Sequence, residues 1–172
     1  MGKSEKIILI DADVVSHFIT GGAIIQLPKI FPYKIKVLDK VYSELSRFPK
    51  KKIEVDNLIN FKLLEIMPFP EDNEAIRKEY LHIKKFMFKG DGESACLAVV
   101  RNTHDILASS NLRDIASYCK MHSIEYLTTM DFLCEALKKG VLNKMECDDF
   151  IAKVKAAGSK LPINKMAEYT CP

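Results

Sequence analysis

A three-layer α/β sandwich, a central parallel sheet of about five strands with helices on both faces, is what this sequence predicts. Short apolar, β-branched runs alternate with stretches of helical periodicity, the pattern of a right-handed parallel sheet. The first run, Ile7 to Ile10, is continuously apolar, as in a strand covered on both faces. At 172 residues and 48% hydrophobic, the chain can bury one substantial core and reads as a single domain from 1 to 172, with a helical extension from about residue 145.

The first strand ends at Asp11, and Asp13 stands at the start of a helix. Ile35 to Leu38 forms a second strand, and Val41, Leu45 and Phe48 then recur at helical spacing until Pro49 stops the pattern. Lys50, Lys51 and Lys52 then read as a solvated turn. Leu63 to Met67 is the third strand, followed by a long amphipathic helix from Glu71 to Lys89 with Ile76, Tyr80, Ile83 and Met87 on one stripe. Gly90-Asp91-Gly92 breaks it, and another helix runs from about Glu93 to Asn102. Asp105 to Ser109 is the fourth strand, Ser110-Asn111 opens a helix, and Ile124 to Thr128 is the fifth strand. Apolar groups at Phe132, Leu133 and Leu137, at Phe150, Ile151 and Val154, and at Ile163 and Met166 place further helices at the end of the domain.

The composition excludes several classes. A charged fraction of 28%, with seven Gly and seven Pro, rules out a collagen-like or low-complexity chain. No apolar run approaches the ~20 residues of a membrane span, and the apolar stretch after Lys3 and Lys6 is too short for a signal peptide. The net charge of +3 permits a phosphate-rich partner without demanding one. The five cysteines (Cys96, Cys119, Cys134, Cys147, Cys171) show no CxxC spacing and read as buried thiols in a reducing compartment, hence a cytoplasmic protein. His17, His82, His104 and His122 lack any zinc-ligand spacing and read as structural or surface groups.

The informative residues are acids. In a parallel α/β sheet the ligand crevice lies at the carboxyl ends of the strands, where Asp11 and Asp13 fall; either one can also cap the following helix. Val41, Glu44, Leu45 and Phe48 share one helical face, as do Glu93, Cys96, Leu97 and Val100, so two carboxylates lie on stripes that should be buried. Burying an isolated charge costs several kcal/mol, so each needs a basic partner, a cap or a site. Asp91, between two glycines, reads first as an N-cap. Asn111 and Asp114 have capping-box spacing, yet they follow the fourth strand, which adjoins the first, so Asp114 can point toward Asp11. Carboxylates from four segments meeting without a matching His or Cys set make a hard-oxygen site suited to Mg²⁺ or Mn²⁺, and such a site would activate water against a phosphodiester.

In order and spacing, Ile7 to Val15, Val41-Tyr-Ser-Glu-Leu45, Gly90-Asp-Gly-Glu-Ser-Ala95 and Ile106-Leu-Ala-Ser-Ser-Asn-Leu-Arg-Asp114 resemble the PIN-domain family, in particular its toxin-like ribonucleases and related prokaryotic proteins. The resemblance covers nearly the whole chain. It implies a PIN-like fold and a metal-dependent endoribonuclease, with Asp11, Glu44, Glu93 and Asp114 as catalytic residues and ligands of Mg²⁺ or Mn²⁺. It implies Asp13, Asp91, Ser110 and Asn111 behind them, and RNA-backbone contacts drawn from Lys50, Lys51, Lys52, Lys84, Lys85 and Lys89. It further implies RNA as substrate, a cognate antitoxin protein as partner and a homodimer; no membrane association is expected, on the lack of an apolar span. The chain departs from the family where an acid usually stands: Asn111 and Leu112 occupy that turn. One charge fewer weakens metal binding, which leaves a non-catalytic RNA- or protein-binding module as the alternative. Asp11-Ala12-Asp13 also resembles the acid pair of haloacid-dehalogenase-type phosphatases, but that reading gives Glu44 and Glu93 no role.

Overall fold

The computed structural model describes residues 5–87 and 90–172. Five parallel strands, β1 (Ile8–Ile10), β2 (Ile35–Leu38), β3 (Glu65–Met67), β4 (Ile106–Ala108) and β5 (Tyr126–Leu127), form one sheet in the order β3-β2-β1-β4-β5. Eight α-helices among the described residues complete a three-layer sandwich: α1 (Ala12–Thr20), α2 (Asp39–Ser46), α3 (Pro49–Asn60), α4 (Glu74–Phe86), α5 (Asp91–Thr103), α6 (Leu112–Met121), α7 (Thr129–Lys139) and α8 (Lys144–Ala156).

β1 is central because its three residues, Ile8, Leu9 and Ile10, have no polar face to offer solvent, and all three are fully buried. The chain adds β2 and β3 on one side of β1 and then returns to add β4 and β5 on the other. That reversal opens a crevice beyond the carboxyl ends of β1 and β4, the usual ligand position in such sheets. Ile10 is in register with Ala108, and the Asp11 N–H donates to the Ala108 carbonyl at 2.8 Å, so the first acid is fixed to the neighbouring strand.

Three local readings are corrected. The helix before Pro49 does end, at Ser46, but Pro49 also opens α3, with Phe48 extended before it. Proline fits the first helical position, where no intrahelical N–H partner is needed, so the lysine run lies in the first turn of a helix and not in a solvated turn. α4 begins at Glu74 because the Asn73 side chain caps it, accepting from Ile76 N at 3.1 Å. The expected C-terminal end of that helix, with Lys89, lies outside the described residues. Ile163 and Met166 are buried as expected, but on an irregular strap broken only by a short 3-10 turn at Met166–Glu168.

The cysteine reading is corrected as well. Cys96, Cys119 and Cys147 are buried free thiols, but Cys134 and Cys171 form a disulfide. Cys171 is exposed on the irregular terminal segment, and the strap folds back to bring its Cα within 5.7 Å of Cys134 on α7, inside bonding reach. Among the described residues no helix is long and apolar enough to cross a membrane.

Candidate functional site

The crevice beyond β1 and β4 is a cavity of about 400 Å³ lined by Asp11, Asp13, His17, Glu44, Glu93, Ser110, Asn111 and Lys160, with Ala12 and Gly90. Four of these are carboxylates, delivered by three segments of the chain.

Asp11 occupies the N-cap of α1 and its side chain accepts from Ala12 N at 2.8 Å. It is 6% exposed. Burial first, and then the charges of Asp13, Glu93 and Glu44, push its carboxyl well above the ordinary carboxylate range. Asp13, one residue into the helix, joins the two strand ends: Oδ1 accepts from Val14 N at 2.7 Å and Oδ2 from Ser110 N at 2.8 Å. Burial raises its pKa while these N–H groups, Ser110 foremost, hold it down. Of the two acids, Asp11 has the cap position and Asp13 ties β1 to β4.

Glu44 and Glu93 arrive from facing helices. On α2 the carboxylate of Glu44 turns to α5, where its Oε1 accepts from Gly92 N at 2.9 Å. Gly92 is required by this approach: a Cβ there would stand 2.9 Å from Glu44 Oε1 and 3.0 Å from Val41 Cγ2. Glu93 sits in the first turn of α5, and among the described residues its buried Oε1 has no hydrogen-bond partner. Burial, then Asp114 and Asp13, raise the Glu93 carboxyl to about 7. Cys96, one turn further along α5, is fully buried, and desolvation followed by the field of Asp11 pushes its thiol up.

The remaining expected residues are distributed unevenly. Asp114 does not line the cavity; it is exposed and accepts from Asn111 Nδ2 at 2.7 Å, so the expected capping-box pair bond each other instead of the helix backbone. Leu112 is 44% exposed. Asp91 is the first residue of α5, not its cap, and accepts from Tyr80 Oη and from Lys84 Nζ, the latter at 2.8 Å. That ion pair engages Lys84 away from the acids, and Lys52 is likewise paired with Asp56 at 2.5 Å. Lys50 and Lys85 are exposed outside the cavity. Lys51 lies near enough to His17 to lower its pKa, second to burial.

Two lining residues with ionisable side chains, His17 and Lys160, were not expected from the sequence. His17 lies one turn after Asp13 on α1, a spacing that puts both on one helical face and is a usable signal. Its Nδ1 bonds Thr129 Oγ1 at 2.7 Å; Thr129 is fully buried and its hydroxyl also meets Ser110 Oγ at 2.6 Å. Lys160 comes from the strap after α8, and no periodicity foretells its approach.

The carboxylates of the lining are hard oxygen donors, and among the described residues the buried Glu93 Oε1 has no hydrogen-bond partner. These features fit a divalent cation such as Mg²⁺ or Mn²⁺ in kind. Among the described residues, however, no group of three or more His, Cys, Asp or Glu side chains is drawn together closely enough to constitute a metal cluster. No family model, no curated protein and no solved structure matches the chain.

Proposed function

We propose that the protein is a Mg²⁺- or Mn²⁺-dependent endoribonuclease of the PIN type. The observation that carries this reading is the group of four carboxylates, Asp11, Asp13, Glu44 and Glu93, around one cavity at the reversal point of a parallel sheet, with Glu93 Oε1 unpartnered among the described residues. Burying these acids together is unfavourable unless protons or a cation neutralise them.

Asp11, Glu44 and Glu93 would hold the ion. When bound, it would supply an activated water and offset the charge developing on a phosphodiester. The protein groups do the positioning. Asp13 fixes the start of α6 through Ser110 N, and the Gly92 N–H fixes the angle of Glu44. Ser110, braced by Thr129, and Asn111 offer polar side chains to the same cavity, where a phosphate or water would rest. Asp114 acts from outside the cavity, through its field on Glu93 and its bond to Asn111. The acidic cavity also suits a basic segment of a cognate antitoxin, and toxin activity by a homodimer belongs to the same proposal.

The test is cleavage of a panel of structured and single-stranded RNAs in Mn²⁺, Mg²⁺ and EDTA, with Asp11→Asn purified identically. Metal-dependent cutting that vanishes in the variant is expected. Equal activity in both preparations, or none in either, overturns the reading and leaves an RNA- or protein-binding module.

A further inference from the structure

Every carboxylate of the cavity repels an RNA backbone, and a protein cation beside the acids would counter that repulsion in addition to the bound ion. Among the described residues lining the cavity, Lys160 is the one lysine or arginine. Its surroundings are unusual for a lysine beside four acids. It is exposed, and among the described residues it has no carboxylate within ion-pair distance. Lys52 and Lys84 by contrast are spent on Asp56 and Asp91.

The backbone on both sides of Lys160 is anchored. α8 ends with Gly158 at φ +92°, a left-handed turn that suits glycine, while Ser159 N returns to the Val154 carbonyl at 3.2 Å. On the other side Ile163 and Met166 are buried, Met166 N donates to Asp148 Oδ1 at 2.8 Å, and Lys155 Nζ donates to Asn164 Oδ1 at 2.5 Å. The short span between these anchors therefore presents Lys160 at the cavity rim at little entropic cost on binding.

We propose that Lys160 is a phosphate-contacting residue of this site, holding a backbone phosphate of a single-stranded ribonucleic acid against the acid cavity. The proposal rests on the nuclease reading above and adds the substrate-facing cation to it.

The experiment measures binding of a short fluorescent single-stranded oligoribonucleotide by anisotropy in Mg²⁺ over a series of KCl concentrations. Every protein carries Asp11→Asn so that the probe stays whole. Adding Lys160→Ala is expected to weaken binding about three- to tenfold at low salt and to lower the slope of log affinity against log salt by about 0.7, the value for one lost single-strand phosphate contact. Lys160→Arg should restore the slope, and Lys165→Ala, on the same strap but outside the cavity lining, should leave both quantities unchanged. Thermal melts of the exposed-site variants should match their parent. Wild-type affinity and slope in Lys160→Ala, an equal loss in Lys165→Ala, or no binding by the parent overturns the proposal. If Lys160→Ala weakens binding while the unmutated protein cuts no RNA, the nuclease reading falls and the contact stands; cutting with binding indifferent to Lys160 gives the reverse.

Discussion

The N–H of Gly92 donates to Oε1 of Glu44 at 2.9 Å, and a Cβ on residue 92 would stand the same 2.9 Å from that oxygen. One glycine thus both orients a cavity acid and permits α2 to approach α5.

Replacing Gly92 by Ala therefore acts on the site before it acts on the fold. The added methyl also meets Val41 Cγ2 at 3.0 Å, so α2 and Glu44 must shift together. Overpacking of this kind costs about 1–3 kcal/mol. Chemical denaturation of Gly92→Ala should show that loss, and Mn²⁺ titration should show weaker binding than in the wild type. A variant of unchanged stability with unchanged Mn²⁺ affinity would remove Gly92 from the architecture of the site.

In EDTA, stability should fall as pH rises across the Glu93 transition. Its folded carboxyl sits at about 7, above the usual 4.5, so the folded state favours the protonated form. The resulting stability is fully present below about pH 4.5 and is lost as pH rises toward 7 and beyond. Because Glu93 is only partly buried, solvent screening reduces the effect to about 1 kcal/mol. Glu93→Gln should consequently raise the melting temperature of the metal-free protein by a few degrees at pH 8 and little at pH 5, as measured by calorimetry. A uniform shift at both values would show that the charge is not the cause.

Reduction of the disulfide should lower stability. The pair is separated by 37 residues, and closing a loop of that size contributes about 2–4 kcal/mol. Thiol titration of the denatured, unreduced protein should find three free cysteines, and five after treatment with a dithiol, with the melting temperature lower in the reduced form. Five thiols before reduction would mean that the link is absent in solution.

The strands and most helices were legible because their signals are local: a wholly apolar run for β1, a helical stripe for α4, a glycine break before α5. Helix α3 was hidden because Pro49 reads equally as a stop and as a first helical residue, and only packing of Val55 and Leu58 into the core selects the latter. Asp11, Glu44 and Glu93 were legible because each acid interrupts an apolar pattern. Asp114 was placed in the cavity because its spacing matches the right strand end, but its own neighbour Asn111 holds it at the surface. Lys160 and Cys171 left no trace in any pattern, since their positions depend on how an irregular segment folds back.

The bond from Ser110 N to Asp13 Oδ2 joins residues 97 apart in the chain, and that from Gly92 N to Glu44 Oε1 joins residues 48 apart. No contiguous stretch of the chain contains the cavity. Its acids come from the start of α1, from α2 and from α5, while Ser110 and Asn111 follow β4, so a chain truncated before β4 carries all four acids without the wall that completes their enclosure.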